Sequence, residues 1–224
     1  MTYKSVRTGR FLSRPNRFIA HVEVNGVDTV CHVKNTGRCK ELLIPGCTVV
    51  LEQADNPNRK TPYDLIAVYK GDRLINMDSQ APNAVAAAYL SDRFPTATIR
   101  REVTYGDSRF DFHVQDGDEQ WFVEVKGCTL EIDNTGYFPD APTERGVKHL
   151  RHLIRATEEG YRAAVLFIIQ MEGVAAIRPN DATHPAFGEV LREAAAKGVE
   201  VWATDCTVTP STLVHHHPVS VDLT

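Results

Sequence analysis

The residues of this sequence best suited to chemistry are two carboxylates and an amine: Asp111, Glu124 and Lys126. The segments that contain them, 109–114 and 121–126, alternate polar and apolar residues, which predicts two half-buried strands. A two-residue turn between the strands would pair residues whose numbers add up to 235, so that Asp111 lies opposite Glu124. Paired side chains have Cβ atoms about 5 Å apart. The pattern therefore predicts that two carboxylates and an ammonium group meet on one face of a hairpin.

This predicted cluster would suit a metal-dependent site that cleaves phosphodiesters. Two adjacent carboxylates repel each other, and both stay ionised at neutral pH mainly when a cation lies between them. Asp111 and Glu124 are therefore candidate ligands of Mg²⁺ or Mn²⁺, since Mg²⁺ prefers oxygen ligands and keeps positions for water and phosphate oxygens. Lys126 would add a positive charge beside the reacting phosphate. Glu102, nine residues before Asp111, is a candidate third carboxylate of the catalytic group.

An ordinary solvated hairpin is the alternative interpretation, because charged residues on exposed strands commonly form weak ion pairs without function. The segment 121–125 is nearly continuous in apolar residues, however, which predicts a strand covered on both faces and acidic groups in a recess. The predicted pairing also gives the hairpin one wholly apolar face, made of Phe110, Phe112, Val114, Trp121, Val123 and Val125.

Four longer strings carry a further signal. They are Arg109-Phe110-Asp111-Phe112, Glu124-Val125-Lys126-Gly127-Cys128-Thr129-Leu130, Phe138-Pro139-Asp140-Ala141-Pro142-Thr143-Glu144-Arg145-Gly146 and Lys148-His149-Leu150. Together they resemble the sugar fermentation stimulation protein A family. The resemblance extends from Asn35-Thr36-Gly37-Arg38 to Gly198-Val199-Glu200-Val201, and so covers essentially the whole chain.

The resemblance implies an OB-like barrel, then a mixed-sheet domain similar to the PD-(D/E)XK restriction-endonuclease-like proteins, with DNA as the partner. In the pattern of those nucleases, Asp111 and Glu124 match the metal-binding acids and Lys126 matches the catalytic lysine. Glu102 is the position that we match to an upstream acid. The family is also connected with the regulation of sugar utilisation, particularly of maltose, so that cleavage and regulation both stay open.

The composition fits a globular protein of two domains. The chain has 224 residues, of which 42% are hydrophobic and 24% charged, and no apolar run approaches the roughly 20 residues of a membrane span. Its first residues do not resemble a signal peptide, so we expect a cytoplasmic protein without membrane contact. The five cysteines form no C-x-x-C pair, which indicates free thiols rather than a disulfide framework or a zinc knuckle.

Charge is distributed unevenly along the chain. Residues 1–75 contain 12 Lys or Arg against 7 Asp or Glu, whereas residues 76–224 contain 13 against 22. A basic first segment beside an acidic second one indicates that the former binds a nucleic-acid backbone and the latter binds cations. A solvated basic face would give the same counts.

The predicted first domain, residues 1–77, is all β. Alternation and turn signals predict strands at 17–24, 27–33, 47–53, 65–69 and 74–77, with a helical turn at 39–43. Five short strands suit an OB-like barrel that binds nucleic acid. The candidate phosphate contacts are Arg10, Arg14, Arg17, Lys34 and Arg38. Phe11 and Phe18 would either stack on bases or pack in the barrel core.

The predicted second domain, residues 78–224, mixes strands and helices. Besides the hairpin, the patterns predict helices at 82–90, 143–159 and 185–197 and strands at 99–105, 163–169 and 199–203, the last closing the sheet. Asp140 and Thr143 would either close the site or cap the helix at 143–159, and capping is the favoured interpretation. This helix carries the candidate DNA contacts Arg145 and Lys148 on a basic face that solvation would also explain. A metal tract is one interpretation of residues 215–217, all histidine, but we favour an ordinary terminal stretch.

Three functions are compatible with these patterns. The leading hypothesis is a DNA-binding protein with a nuclease-type site, in which Asp111 and Glu124 hold Mg²⁺ or Mn²⁺ and Lys126 assists hydrolysis. The second is a regulator that binds single- or double-stranded DNA without cutting it, and the third is an enzyme of a small phosphorylated metabolite, which leaves the barrel unexplained. A homodimer would suit the cleavage of two strands, although no segment marks an interface.

Overall fold

In the computed structural model, which describes residues 1–35, 37–56 and 58–224, the first domain consists of six strands. They are β1 (Val6–Ser13), β2 (Ile19–Val24), β3 (Val27–Val33), β4 (Thr48–Gln53), β5 (Tyr63–Lys70) and β6 (Arg73–Asn76). Asn25 and Gly26, which join β2 to β3, both have positive φ, as the tightest hairpin turns require. Thr36, within one of the strings discussed above, and Pro57, within the polar loop after β4, lie outside the described residues.

Five of these strands close into a barrel. β1 pairs with both β2 and β4, β4 pairs with β5, and β5 returns to β3 through a parallel pairing. The resulting ring, β1-β2-β3-β5-β4, is the strand order of an OB barrel, and it confirms the predicted architecture. β6 extends the sheet from β5 outside this ring, so it is not the fifth barrel strand that the sequence patterns indicated.

The true fifth strand, β1, was missing from the sequence prediction. Gly9 interrupts its pattern of apolar residues, and a strand interior with glycine is weak by propensity. The structure shows why glycine stands there: a Cβ atom at Gly9 would lie 2.5 Å from Cγ1 of Val22 on β2. Close contact between the neighbouring strands β1 and β2 therefore requires a glycine, and this glycine interrupts the apolar alternation by which β1 would be recognised.

The second domain has three helices and ten strands within the described residues. The helices are α1 (Ala81–Arg93), α2 (Glu144–Glu158) and α3 (Pro185–Ala196). The strands are β7 (Thr98–Tyr105), β8 (Ser108–Asp116), β9 (Glu119–Cys128), β10 (Leu130–Ile132), β11 (Thr135–Phe138), β12 (Arg162–Ile169), β13 (Ala176–Pro179), β14 (Glu200–Thr209), β15 (Thr212–Pro218) and β16 (Ser220–Val221).

The main sheet of this domain has the order β15-β14-β12-β9-β8-β7 and is mixed. β9, β12 and β14 are parallel, which confirms the predicted β-α-β crossover through α2, while the strands at both edges are antiparallel. The expectation that the strand at 199–203 closes the sheet is wrong. β14 continues to Thr209 and turns back into β15, which occupies the edge.

Helices cover both faces of the main sheet. Residues of α1 such as Val85 and Leu90 are buried against one face, and Leu150 of α2 and Leu191 of α3 are buried against the other. β12 is buried along nearly its whole length, as its continuous apolar sequence predicts for a strand between two layers. A smaller sheet, β10-β11-β13-β16, lies beside the main one where the sequence indicated only a loop with Gly136.

A buried polar network joins the two domains. The amide of Gln170 donates to Oδ1 of Asn76 at 2.9 Å and to the carbonyl of Asp78 at 3.0 Å, just where the barrel ends and the second domain begins. The Tyr3 hydroxyl donates to Oδ2 of Asp78 and accepts from the Asn76 amide. Because buried polar groups need such partners, the network fixes how the barrel sits on the second domain. Among the helices in the described parts of the chain, none has the length and apolar character that a membrane span requires.

Candidate functional site

The hairpin β8–β9 has the predicted register over its outer part. The observed pairs run from Asp116 with Glu119 to Phe112 with Val123, and their numbers add up to 235 as expected. Beyond Phe112 the regular pairing gives way to a side-chain contact, in which the N–H of Val125 donates to Oδ2 of Asp111 at 2.8 Å. The two strands therefore separate at the carboxylates, which opens room there.

This separation also breaks the alternation of faces. Phe112 and Val123 belong to the core under α1, but Phe110 packs on the opposite side, with its ring centroid 5.0 Å from that of Phe122. The prediction that Phe110 shares one apolar face with Phe112 is therefore wrong. The reason is that the regular backbone pairing of β8 is interrupted at Asp111, both towards β7 and towards β9.

Asp111 is held by two donors from different elements. Besides the N–H of Val125 on Oδ2, Oδ1 accepts from the side-chain amide of Asn83 at 2.9 Å. Asn83 lies in the first turn of α1, and this helix can approach β9 closely because Gly127 has no side chain. A Cβ atom at Gly127 would lie 2.6 Å from Cγ of Pro82, the neighbour of Asn83. The glycine after Lys126 thus permits the contact that orients the first carboxylate.

Glu124 is nearly fully buried, with 2% of its surface exposed. Its Oε1 accepts from Nζ of Lys126 at 2.7 Å and is also in contact with Nδ1 of His149, which lies on α2. Its Oε2 is buried and has no hydrogen-bond partner among the residues that the structure describes. In this carboxylate, one oxygen has two hydrogen-bond partners and the other has none. The second oxygen is therefore poised to accept a further ligand, since buried polar atoms are seldom left without partners.

The partners of His149 assign its tautomer. The Nε group of Arg145 donates to Nε2 of His149 at 3.2 Å, so Nε2 must be the unprotonated acceptor in a neutral ring. Nδ1 then carries the hydrogen and donates it to Glu124. Arg145 and His149 are four residues apart on α2 and therefore share a face of the helix. Helix α2 thus positions the second carboxylate through a chain from Arg145 to His149 to Glu124.

The two carboxylates have opposite pKa shifts. Burial, and then the charge of Glu124, raise the pKa of Asp111 above its ordinary value, although Val125 and Asn83 oppose the rise. Burial also raises the pKa of Glu124, but His149 and Lys126 outweigh it and the net direction is downward. Asp111 feels the charge of Glu124 because the two groups lie near each other, as the hairpin register predicts.

These features fit a hard divalent cation. The bare Oε2 of Glu124 and the oxygens of Asp111 are ligands of the kind that Mg²⁺, Mn²⁺ and Ca²⁺ accept. A cation would also relieve the repulsion that raises the pKa of Asp111. Asp111, Glu124 and Lys126, the three residues on which the sequence prediction rested, are therefore together in the structure.

Glu102 is not part of this group. It lies on β7 opposite Asp111 by register, but its φ of 55° interrupts the strand and its side chain is 64% exposed. Its carboxylate pairs instead with Arg109 at 3.7 Å. The expectation of a third carboxylate at this position is therefore not met, because the left-handed backbone at Glu102 leaves the side chain in solvent.

Two of the predicted phosphate contacts have structural roles instead. The guanidinium of Arg14 donates to the carbonyls of Arg38, Arg17 and Asn35, at 2.8, 2.8 and 2.6 Å, and so fastens the loop after β3 to the loop after β1. The Lys34 ammonium lies 3.1 Å from Oδ2 of buried Asp78 and belongs to the domain junction. Neither side chain is free to meet a phosphate without losing these contacts.

The other predicted contacts are exposed. Arg10 pairs with Glu23 at 2.6 Å and Lys148 with Asp107 at 3.6 Å, and both pairs are open to solvent. Arg17, Arg38 and Arg145 are also exposed. Of the two aromatic candidates, Phe11 is buried in the barrel core, whereas Phe18 is 51% exposed and has the Arg17 guanidinium 6.0 Å from its ring.

Two adjoining cavities lie between the barrel and the residues that hold Asp111. A cleft of about 400 Å³ between the domains is lined by Asn83 and Val125, the two residues that bind Asp111. Gly37 and Ala141 line this cleft and also a second cavity of about 580 Å³ on the barrel. The basic residues around the second cavity are Arg14, Arg17, Arg38 and Lys40. We call these two cavities together the interdomain groove.

The strings at 35–38 and 138–146 meet in this groove. A Cβ atom at Gly37 would lie 2.6 Å from Oδ2 of Asp140, so only glycine lets the barrel loop approach that carboxylate so closely. The Asn35 amide donates to the carbonyl of Met77 and thereby fixes the same loop at the domain junction. Thr143 caps α2 by accepting from the N–H of Gly146 at 3.0 Å, as expected from the sequence.

Sequence reasoning missed Asn83 and His149 as members of the site. His149 entered only as part of the string 148–150, and Asn83 only as a position within the predicted helix at 82–90. The available signal for His149 was its spacing of four residues from Arg145, which puts both on one side of α2. Nothing in the spacing of Asn83 relates it to Asp111, because the contact depends on the packing of α1.

Comparisons with known proteins agree with this architecture. Residues 12–77 match a family model described as the SfsA N-terminal OB domain, and residues 80–212 match one described as the sugar fermentation stimulation protein RE domain. A sugar fermentation stimulation protein homolog of Desulfitobacterium hafniense (strain Y51) is 54% identical over 225 residues, covering 100% of this chain and 99% of that protein. A homolog of Ruminiclostridium cellulolyticum is 51% identical and covers 93% of each chain.

A solved structure is also similar over nearly the whole chain. It is the structure of Pyrococcus furiosus SfsA in complex with Ca²⁺, with a TM-score of 0.88, 26% sequence identity, and coverage of 99% of this chain and 98% of that one. The two family models match one domain each, and the relatives match the chain over nearly its whole length. The chain belongs to the sugar fermentation stimulation protein family.

Proposed function

We propose that this protein binds DNA in the interdomain groove and hydrolyses phosphodiester bonds at a divalent-metal site of Asp111 and Glu124. The observation that carries the proposal is the bare, buried Oε2 of Glu124 next to a second carboxylate whose pKa is raised. The similar protein of Pyrococcus furiosus was solved with Ca²⁺, a cation that takes the same oxygen ligands. For catalysis we propose Mg²⁺ or Mn²⁺, which when bound would act as a Lewis acid and a source of hydroxide.

The side chains of this site divide the remaining work. Asn83 and Val125 hold the carboxylate of Asp111, and His149 holds that of Glu124. Lys126 uses one N–H on Glu124 and keeps others for a phosphate oxygen or an attacking water, since an ammonium group has three donors. This division of roles is that of the PD-(D/E)XK nucleases.

The interdomain groove supports DNA as the substrate. Its basic part, with Arg17 and Arg38, suits the phosphate backbone, and exposed Phe18 lies beside it for stacking on a base. Its other part is lined by Asn83 and Val125, which donate hydrogen bonds to Asp111. We place this activity in the cytoplasm.

A direct test uses labelled single-stranded, double-stranded and branched DNA, incubated with Mn²⁺ or with a chelator. We expect metal-dependent products from at least one substrate. Lys126→Ala should abolish cutting and leave binding largely intact, because the lysine assists the reaction but is 12% exposed and contributes little surface. Lys197→Ala is the matched control, since Nζ of Lys197 also binds a glutamate, but this residue caps the C-terminal end of α3.

The second candidate is a DNA-binding regulator of sugar genes, such as those for maltose use, that does not cut DNA. It is favoured by the name of the relatives, which refers to stimulation of sugar fermentation. The same assay separates the two functions. Salt-dependent binding without metal-dependent products from any of the three substrates would refute hydrolysis and support the regulator.

A further inference from the structure

A second cluster of metal-binding side chains lies at the opposite part of the main sheet, where β14 pairs with β15. Asp205 occupies an irregularity in β14, between the pair Thr204 with Pro218 and the pair Cys206 with His215. Neighbouring residues of a regular strand point to opposite faces. At this irregularity, however, the rings of His216 and His217 lie side by side, with centroids 3.5 Å apart and planes tilted by 40°.

The ligand atoms of Asp205, His216 and His217 all lie within 4.8 Å of one another. Nδ1 of His216 is 3.9 Å from Oδ1 of Asp205 and also 3.9 Å from Oε1 of Glu172, which lies on the loop after β12. The two imidazoles are solvent-accessible, so their rings can rotate by the small amount needed to converge on one ion. Glu172 is available as a fourth ligand.

Asp205 is preoriented for such a role. It is 4% exposed, and its carboxylate accepts from the N–H of Gly173 at 2.9 Å on Oδ2 and from the N–H of His217 at 2.8 Å on Oδ1. Each carboxylate oxygen can accept two partners, so both contacts leave lone pairs for a metal. The backbone contacts fix the carboxylate before any ion binds.

The charge of this carboxylate lacks a strong partner. Within the part of the chain that the structure describes, the only ion pair of Asp205 is with His216, which is charged only when protonated. Buried carboxylates are usually paired with a cation or coordinate a metal. Two imidazoles beside a buried carboxylate are an arrangement that a bound cation would explain.

We propose that Asp205, His216 and His217 bind a borderline transition-metal ion, with Zn²⁺ as the representative. Two imidazole nitrogens and one carboxylate oxygen are ligands typical of Zn²⁺, whereas Mg²⁺ and Ca²⁺ take oxygen ligands. With Glu172, the ion would fasten the loop after β12 to the hairpin β14–β15. The site is thus separate from Asp111 and Glu124 in both ligand chemistry and position.

The test uses the full chain with any affinity tag removed, because a histidine tag would itself bind the probe. Calorimetric titration with ZnCl₂ should show one site that persists in Asp111→Asn and is weakened at least tenfold in His216→Ala and in His217→Ala. His215→Ala is the matched control. It changes the neighbouring histidine of the same strand, whose Nε2 contacts Asp92 rather than Asp205.

Cobalt gives an independent readout. Co²⁺ bound to two histidines and a carboxylate in a four-coordinate site should give visible absorption, and ZnCl₂ should remove it. Both exposed histidines can be changed without disturbing the core, so the folded state of each variant is checked by its unchanged circular dichroism. Equal Zn²⁺ affinity in the wild type and in the double variant His216→Ala/His217→Ala would overturn the proposal, as would loss of the site in Asp111→Asn.

Discussion

Replacement of His149 by alanine tests whether helix α2 prepares the metal site. His149 donates to Oε1 of Glu124 and accepts from Arg145, so its ring fixes which oxygen of the carboxylate is left bare. Without it, Glu124 keeps Lys126 as its only donor in this contact and gains rotational freedom. Its proton affinity should also rise, because His149 contributes to the lowered pKa of Glu124. Both changes should weaken the binding of a divalent cation at this site.

The size of the effect follows from one lost hydrogen bond to a charged group. Such a bond contributes about 1.5–3 kcal/mol. Since each 1.4 kcal/mol is about a factor of ten in affinity, the variant should bind Mn²⁺ about 10- to 100-fold more weakly. The same range is typical when the outer partner of a metal ligand is removed.

Calorimetric titration with MnCl₂ measures this directly, and His152→Ala is the control. The side chains of His149 and His152 are both 15% exposed and both lie on α2, so their removal should cost similar packing. His152, however, contacts Ser108 and not Glu124. We therefore expect His152→Ala to bind Mn²⁺ like the wild type.

Two results would refute this reasoning. If His149→Ala bound Mn²⁺ as tightly as the wild type or more tightly, His149 would be acting as a cation that competes with the metal rather than as a neutral donor. If His152→Ala were weakened as much as His149→Ala, the loss would come from the packing of α2 and not from the contact with Glu124.

Three further predictions concern other contacts. Gly127→Ala should lower the free energy of unfolding in urea by about 1–3 kcal/mol, because the new Cβ atom would lie 2.6 Å from Cγ of Pro82. Gly136→Ala is the control and should lower it clearly less, because its Cβ atom would lie 3.4 Å from the nearest atom, Sγ of Cys128. The carboxylate of Glu131 accepts a hydrogen bond from Lys70 of the barrel. Burial raises the pKa of Glu131, but the contacts with Lys70 and Asn134 outweigh burial, and the net direction is downward. Its stabilising contribution is therefore complete above the unfolded-state pKa and is lost as pH falls through the lower folded-state pKa. Thermal unfolding of Glu131→Gln should be less sensitive to pH in that acidic range than unfolding of the wild type, and an equal sensitivity would contradict the assignment. Phe18→Ala should weaken single-stranded DNA binding by about 1–3 kcal/mol in fluorescence anisotropy, whereas Ile44→Ala, 57% exposed outside the basic cavity, should not.

The sequence predicted the outer part of the hairpin β8–β9 well because its signals are local. A turn of two residues and alternation on both sides fix the register of β8 and β9 as far as Phe112 and Val123, and Asp111 and Glu124 are the next residues of the two strands. The helices α2 and α3 were equally accessible, since the signals at their ends are local: Thr143 caps α2, Pro185 begins α3, and a glycine follows each helix within two residues. The OB barrel was also recognisable, although one of its strands was assigned wrongly.

Local signals failed where distant segments decide the outcome. Strand β1 was not predicted because Gly9, which close contact with β2 requires, interrupts its apolar pattern. The left-handed backbone at Glu102 directs the carboxylate of that residue towards solvent. Arg14 and Lys34 have the composition of phosphate contacts, yet the structure uses them to hold loops and domains together. Charge counts cannot distinguish these uses, because both place a cation near negative atoms.

The sequence by itself therefore determined which carboxylates and which lysine face one another, since strand pairing follows from chemistry within about fifteen positions. Only the tertiary structure decided what surrounds them: that Asn83 of α1 and His149 of α2 hold the two carboxylates, that one oxygen of Glu124 is left bare, and that a groove joins the barrel to the site. These contacts depend on how helices pack on the sheet. Packing is set by the fit of buried surfaces from distant parts of the chain, which no local pattern encodes.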